Sequence, residues 1–386
     1  MPTAHRGTAP RPRTRRRDAS ADPINPATGQ VDLARPVDGV GSDTTQDLNN
    51  GLAAVATNGA GQLVVGSWDA TGSATIQTRT GGATFARPNG SGNGVNALKA
   101  AKTSGQWQGV TLSPSDLSFA RSSSAPSTPA PSGAYSYIPL AVDAVTYASA
   151  TAGVPNGLTK ADLTAIYSAS NGANVALSNG QTYTIGLETN ANADIVPFLP
   201  QTGSGTRSFF IGQLGLTEAT LGSAVAWTYS GGSVQEHDGS AIAAVSGSIV
   251  PFSIAQHIAQ GKSAVLSNLY GVDVLDRRHG AVLHTVTNGG SAISPTNPDG
   301  TLNTAFPIAR PVFTVVQYAE IATNANLAAA FVSADGAVYA ATSDSGSYTI
   351  EDFGFGSLIN RATEVNGVTI NGTLYRAGDA ESLRTN

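Results

Sequence analysis

The chain has 386 residues, 40% of them hydrophobic, enough apolar material for a soluble core and for two domains of the usual ~150 residues. Only 12% are charged, against the ~25% common in globular domains, and glycine (44 residues), Ser, Thr, Ala and Asn make up the difference, a surface suited to a secreted, surface or virion protein. The absence of Cys excludes disulfide scaffolds, thiolate metal sites and thiol nucleophiles. Net charge is −5, but Arg6, Arg11, Arg13, Arg15, Arg16 and Arg17 make the first 20 residues basic and leave the body too acidic to follow a nucleic-acid backbone except through that arm.

No apolar run reaches the roughly 18 residues a membrane-spanning helix needs. Arg11 to Arg17 look like the basic start of a secretory signal, but the polar stretch Asp18–Pro23 follows where an apolar segment belongs, so the sequence as written predicts no ordinary export. Residues 1–36, rich in Pro, Arg and Thr without periodicity, read as a flexible arm.

From Val37 onward, short apolar strands lead into polar loops that open helices. Val37–Val40 reads as a strand, Gln46–Ala56 as an amphipathic helix, Gln62–Trp68 as a strand and Val95–Ala101 as a helix. Asp116–Arg121 and the long run Tyr137–Ala148 read as strands, and Thr159 caps a helix through Tyr167. Strands follow near Thr182–Leu187 and Ile195–Leu199, then helices from Arg207 through Leu214, over Asp238–Ser246 and over Ile254–Gln260. Val312–Ile321 reads as strand passing into helix, Leu327–Phe331 as a short helix and Thr349–Phe355 as a last strand. The alternation predicts an α/β fold with a mainly parallel sheet, whose ligands sit where strands end and helices begin.

Four polar loops stand at such places: Ser42–Thr45, Asn89–Asn93, Arg121–Ser124 and Thr202–Arg207. Glycine lets a ligand approach the backbone, first-turn N–H groups lack helical partners, and the helix dipole adds positive potential, so the loops suit an anion. Arg87, Arg121 and Arg207 lie beside three of them, although each loop alone is equally a turn or a cap. Enzyme signatures are missing. His237, His257, His279 and His284 form no HExxH, no GxSxG elbow or P-loop occurs, and Glu236 and Asp238 read as solvated carboxylates. No catalytic residue, metal ligand or cofactor is therefore predicted.

The segments VGSDTTQDLNNGL (Val40–Leu52), ARPNGSGNG (Ala86–Gly94), LSFARSSSAP (Leu117–Pro126), YIPLAVDAVTYA (Tyr137–Ala148), LTKADLTAIYS (Leu158–Ser168), LPQTGSGTRSFF (Leu199–Phe210) and FGFG (Phe353–Gly356) carry a resemblance. In order and spacing they resemble the phosphate-type periplasmic binding proteins of ABC importers, in particular an actinobacterial branch. The resemblance implies a two-lobed type II periplasmic-binding-protein fold with a ligand cleft and two interlobe crossings. Lobe one would be 37–140 plus 255–358, lobe two 141–254, with a tail at 359–386. It implies a non-enzymatic module that captures phosphate or a phosphate-like oxyanion with Ser42, Thr44 and Thr45, with Ser91 and Gly92, and with Ser204, Gly205 and Thr206; the same loops add Asp43, Arg121, Ser122, Ser123, Gly203 and Arg207 as candidate ligand-binding residues.

Two departures stand out. The family's acidic acceptor for the proton of hydrogen phosphate is replaced within Arg121–Ser124, and the family's Arg ahead of the GSGT loop gives way to Pro200-Gln201-Thr202. Asp43 is the only carboxylate in the four loops, either a substitute acceptor or a helix cap. An importer subunit of the cell envelope would pair with an ABC permease. The alternative is a structural or adhesive protein of a virion or surface assembly, tied to neighbouring subunits through 1–36 and 359–386.

Overall fold

The computed structural model describes residues 22–25 and 28–386, so the basic run from Arg6 to Arg17 lies outside the described residues. Strands β1 (Val37–Gly41), β2 (Val65–Ser67), β3 (Phe119–Ser122), β4 (Tyr135–Ser149), β5 (Val196–Pro197), β6 (Ser248–Ser253), β7 (Ala309–Gln317) and β8 (Arg384–Thr385) form most of one large sheet. Helices α1 (Gln46–Val55), α2 (Ser91–Lys102), α3 (Lys160–Tyr167), α4 (Gly205–Gln213), α5 (Ser240–Ala244) and α6 (Ile254–Gly261) pack around it. The α/β expectation holds.

The path through the sheet is β5-β6-β4-β7-β3-β1-β2, with β8 also pairing with β4. β4 makes this possible. Its 15 residues are all buried, with apolar and aromatic side chains on both faces, as a strand covered from both sides requires. At ~3.3 Å per residue it is long enough to serve both ends of the sheet. Its first part pairs with β7 and β8, and its last part, Val145–Ala148, pairs with Val250–Ser253 of β6.

The expected mainly parallel sheet is corrected. β1 pairs parallel with β2 and β3, and β5 with β6, but β4 runs antiparallel to both β6 and β7, and β7 antiparallel to β3. The centre is antiparallel because the chain crosses along β4 and returns along β7.

Three segments depart from the sequence reading. Residues 28–36 and 22–25, read as part of a flexible arm, are tied down: Asp22 pairs with Arg87 at 2.7 Å and the buried Arg35 donates to the carbonyls of Ala53 and Val65. The C-terminal tail folds back on its own sheet, where β8 pairs with Tyr135 and Ser136. Thr349–Asp352 is helical rather than a strand, and Gly354 follows with φ +82°. In addition Val282–Leu283 pairs with the far end of β4 and Val286 with Leu158, so this stretch packs with the second end of the sheet although it follows residue 255.

Helix starts agree with local chemistry. Thr159 and Asp162 form a capping box on α3, and the Ser204 and Ser253 hydroxyls accept from the third residue of α4 and α6. α2 begins at Ser91, four residues earlier than predicted, which puts Ser91 and Gly92 in its first turn.

One buried carboxyl makes the fold pH-sensitive. Burial pushes Asp38 on β1 up to about 7, against the hydrogen bond from Trp68 Nε1 and the charge of Arg35. With the folded value raised, its favourable contribution is complete below about pH 4 and declines as pH rises through 7. Asp38→Asn keeps the acceptor for Trp68 but has no charge to bury. Urea denaturation of the variant should show a stability gain over wild type that is small at pH 4 and grows by up to about 4 kcal/mol by pH 8. A pH-independent difference would contradict this.

Candidate functional site

At the C-terminal edge of β1 the chain turns through Gly41 at φ +121°, where a Cβ would fall 2.7 Å from the Arg121 carbonyl, and enters Ser42–Thr45. Beside it, β3 runs into Ser122–Ser124 and α2 presents its first turn. From the other end of the sheet comes Gly203–Thr206 at the start of α4. These loops touch directly: Gly92 N–H donates to the Gly203 carbonyl at 3.2 Å, and Gln201 Nε2 donates to Asn89 Oδ1 at 3.2 Å. A Cβ on Gly205 would lie 2.3 Å from Ser91 Oγ and 2.4 Å from Ser123 Oγ, so only glycine permits this approach.

A buried polar network fills the junction. Thr44 Oγ1 and Thr206 Oγ1 are 3.1 Å apart, and each lies within hydrogen-bond distance of Glu236 Oε2, at 3.2 and 3.1 Å. Arg310 on β7 donates to Thr206 Oγ1 at 3.0 Å and holds Asp143 Oδ2 at 2.8 Å. Asp143 on β4 is the cross-strand partner of Arg310, and its other oxygen accepts from the Ser253 hydroxyl (2.8 Å) and the Ala255 N–H (3.1 Å).

The proton positions follow. Ser253 N–H donates to His237 Nδ1 at 3.1 Å, so the ring proton sits on Nε2, which donates to Thr44 Oγ1 at 2.9 Å. Thr44 and Thr206 then spend their own protons on Glu236 Oε2. Burial pushes the Glu236 carboxyl up, but the His237 ring, through its hydrogen bond and through its charge when protonated, together with Ser204 and the charge of Arg310, outweighs it and holds it below the ordinary glutamate range. Glu236 is therefore a buried, ionised carboxylate with a complete donor shell on one oxygen.

Of the residues singled out in the sequence, Thr44, Ser91, Ser123, Ser204, Gly205 and Thr206 come together here. The Ser42 and Thr45 hydroxyls are buried nearby without a hydrogen-bond partner among the described residues. The two predicted arginines turn elsewhere. Arg121 is buried and gives its guanidinium to the carbonyls of Ser42, Gly39, Gly41 and Trp68 and to Ser67 Oγ, while Arg207 donates to Glu218 and the Pro200 carbonyl. Asp43 pairs with Arg277 at 3.1 Å and makes no side-chain cap. Ser122 Oγ donates to the Ser124 carbonyl.

Sequence reading missed Glu236, His237, Asp143 and Arg310. Glu236, taken for a solvated carboxylate, is 1% exposed. Arg310 and Asp143 are 167 positions apart and meet only through strand register. A surface hollow of about 500 Å³ at the end of α1, lined by Val55, Asn58, Ala329 and Asp335, lies away from this network.

No protein-family model and no curated protein matches the sequence. Solved structures do. A candidate phosphate ABC transporter substrate-binding protein from Clostridium perfringens, with bound phosphate, is similar at 14% identity over 83% of this chain and 98% of its own, with a TM-score of 0.48. An ABC-type phosphate transport receptor from Vibrio cholerae is 14% identical over 83% and 99%, TM-score 0.45. The high-affinity periplasmic phosphate-binding protein PfluDING, bound with phosphate, is 18% identical over 83% and 90%, TM-score 0.44.

The Asp143–Arg310 pair sets the geometry, and its removal should be costly. Arg310→Met leaves Asp143 buried without its cation, at a cost of about 3–5 kcal/mol, and adding Asp143→Asn should return part of that. Chemical denaturation of the single and double variants measures both. A loss under ~1 kcal/mol for Arg310→Met would contradict the assignment.

Proposed function

We propose that the junction between the two ends of the sheet is the binding site of a small oxyanion, with phosphate the leading choice, and that the protein performs no covalent chemistry there. The observation that carries this is the convergence of Thr44 from one end and Thr206 from the other on a single anionic oxygen, backed by the Arg310 guanidinium. A shell of hydroxyls and a helix N-terminus, with the cation one bond behind, suits a tetrahedral oxyanion. The hydroxyls of Ser42 and Thr45 are further donors not used within the described fold. His237 offers no base toward Thr44, because its Nδ1 lone pair is taken by Ser253 and its Nε2 carries the proton.

The binding site joins two lobes on this reading, 37–140 plus 255–358 and 141–254, with Val282–Asn288 moving with the second. An envelope location and an ABC permease as partner belong to the same reading. Among the described residues no helix is long and apolar enough to cross a membrane. The assembly alternative is less favoured because the tail it invoked for contacts between subunits pairs with the chain's own β4.

Titration calorimetry with inorganic phosphate and sulfate tests the reading. Wild type should give saturable heat with at least one of them, and Thr206→Val and Thr44→Val should each weaken it at least about tenfold, the loss of one charge-assisted hydrogen bond of ~1.5–3 kcal/mol. Absence of binding, or equal affinity in both variants, would overturn it.

A further inference from the structure

The oxyanion reading leaves Glu236 unexplained. Its Oε2 takes the hydroxyl protons of Thr44 and Thr206 together, and Oε1 has no partner among the described residues. Glu236 and His237 are adjacent, yet both side chains enter the same cluster. His237 sits at φ +54°, in the left-handed region, which breaks the alternation of neighbouring side chains that extended backbone imposes. The segment that carries them starts outside: Trp227 is 47% exposed, and the turn from Ser230 to Ser233 is exposed. It is pinned at its inner end by Gln260 Nε2 on the His237 carbonyl and by Gly239 N–H on the Arg277 carbonyl.

We propose that Glu236 is an internal ligand: its carboxylate occupies the anion position, and an external oxyanion enters only by exchanging with it. This rests on the oxyanion reading of the same site. Two anions cannot share the shell, because like charges a few ångströms apart in a desolvated site repel and compete for the same two hydroxyl protons. The protein as built is therefore self-liganded, and its affinity for a free oxyanion is reduced by the free energy of moving Glu236 out. Since Trp227 lies nine residues before Glu236 on the same segment, its fluorescence should change when exchange occurs.

The opposite role, a carboxylate that accepts the proton of a protonated oxyanion, makes the opposite forecast for one substitution. Glu236→Gln keeps shape and removes charge, and under internal ligation it should bind inorganic phosphate or sulfate at least about tenfold tighter than wild type. Equal or weaker binding by Glu236→Gln overturns the proposal. A second variant separates it from the oxyanion reading. Glu236→Gly should be thermally stabilised by millimolar formate or acetate, which re-supply the missing carboxylate, while wild type should not. If no form binds phosphate or sulfate, the oxyanion reading fails and internal ligation with it; if wild type binds but Glu236→Gln binds no tighter, or formate does not stabilise Glu236→Gly, internal ligation alone fails.

Discussion

The ion pair between Asp143 and Arg310 is the constraint on which the remaining structure depends. Both side chains are buried at the centre of the sheet, on neighbouring antiparallel strands. A buried pair of this kind repays its desolvation only when the remaining donors and acceptors are also satisfied. Here they are. Asp143 uses its second oxygen to fix Ser253 and the first turn of α6, and Arg310 spends its other donors on the Ser123 carbonyl and on Thr206. One pair thus locates the loop after β3, the start of α4 and the start of α6 relative to the two crossing strands.

From there the order propagates by hydrogen bonds with defined directions. Ser253 fixes the tautomer of His237, His237 donates to Thr44, and Gln256 in the first turn of α6 holds the Thr44 carbonyl at 2.8 Å. Thr44 and Thr206 are left with one proton each, and both point to the same place. The donors are oriented, but toward Glu236, whose Oε2 both hydroxyls already hold. The charge at the centre is negative and the cation stands one hydroxyl away.

Much of this was legible in the sequence, for reasons that differ by element. The run Tyr137–Ala148 reads as a strand, and β4 is that strand, two residues longer at its start and one at its end. Thr159 with Asp162 three residues on carried its cap signature openly. The loops that supply Thr44, Ser91 and Thr206 announced themselves by glycine and hydroxyls next to helix starts. Parallel character was over-read because the periodicity of β4 and β7 says nothing about direction. Thr349–Phe355 gathers Ile350, Phe353 and Phe355 in a short stretch that reads as a strand, but it forms four residues of helix followed by a left-handed Gly354. The arginines were misjudged on proximity: Arg121 stands beside a loop in sequence, yet its guanidinium reaches carbonyls of β1 and the loop after β2. Arg310 gave no local signal, because its partner is supplied by register, and Glu236 gave none, because a carboxylate beside a histidine reads as surface until burial is known.

The centre of the site is thus an ionised carboxylate held in a shell of hydroxyls, and its ionisation can be observed directly. With carboxyl-labelled glutamate, the Glu236 δ-carbon resonance followed by NMR from pH 8 to pH 3 reports its protonation. Held by Thr44, Thr206, His237 and Arg310, it should keep its carboxylate position below the ordinary glutamate value of about 4.3, and its contribution to stability, complete above that value, is lost as pH falls from about 4.3 through the lowered value. A Glu236 carboxyl that takes up its proton at or above about pH 4.3 would contradict an anion-holding site at this junction.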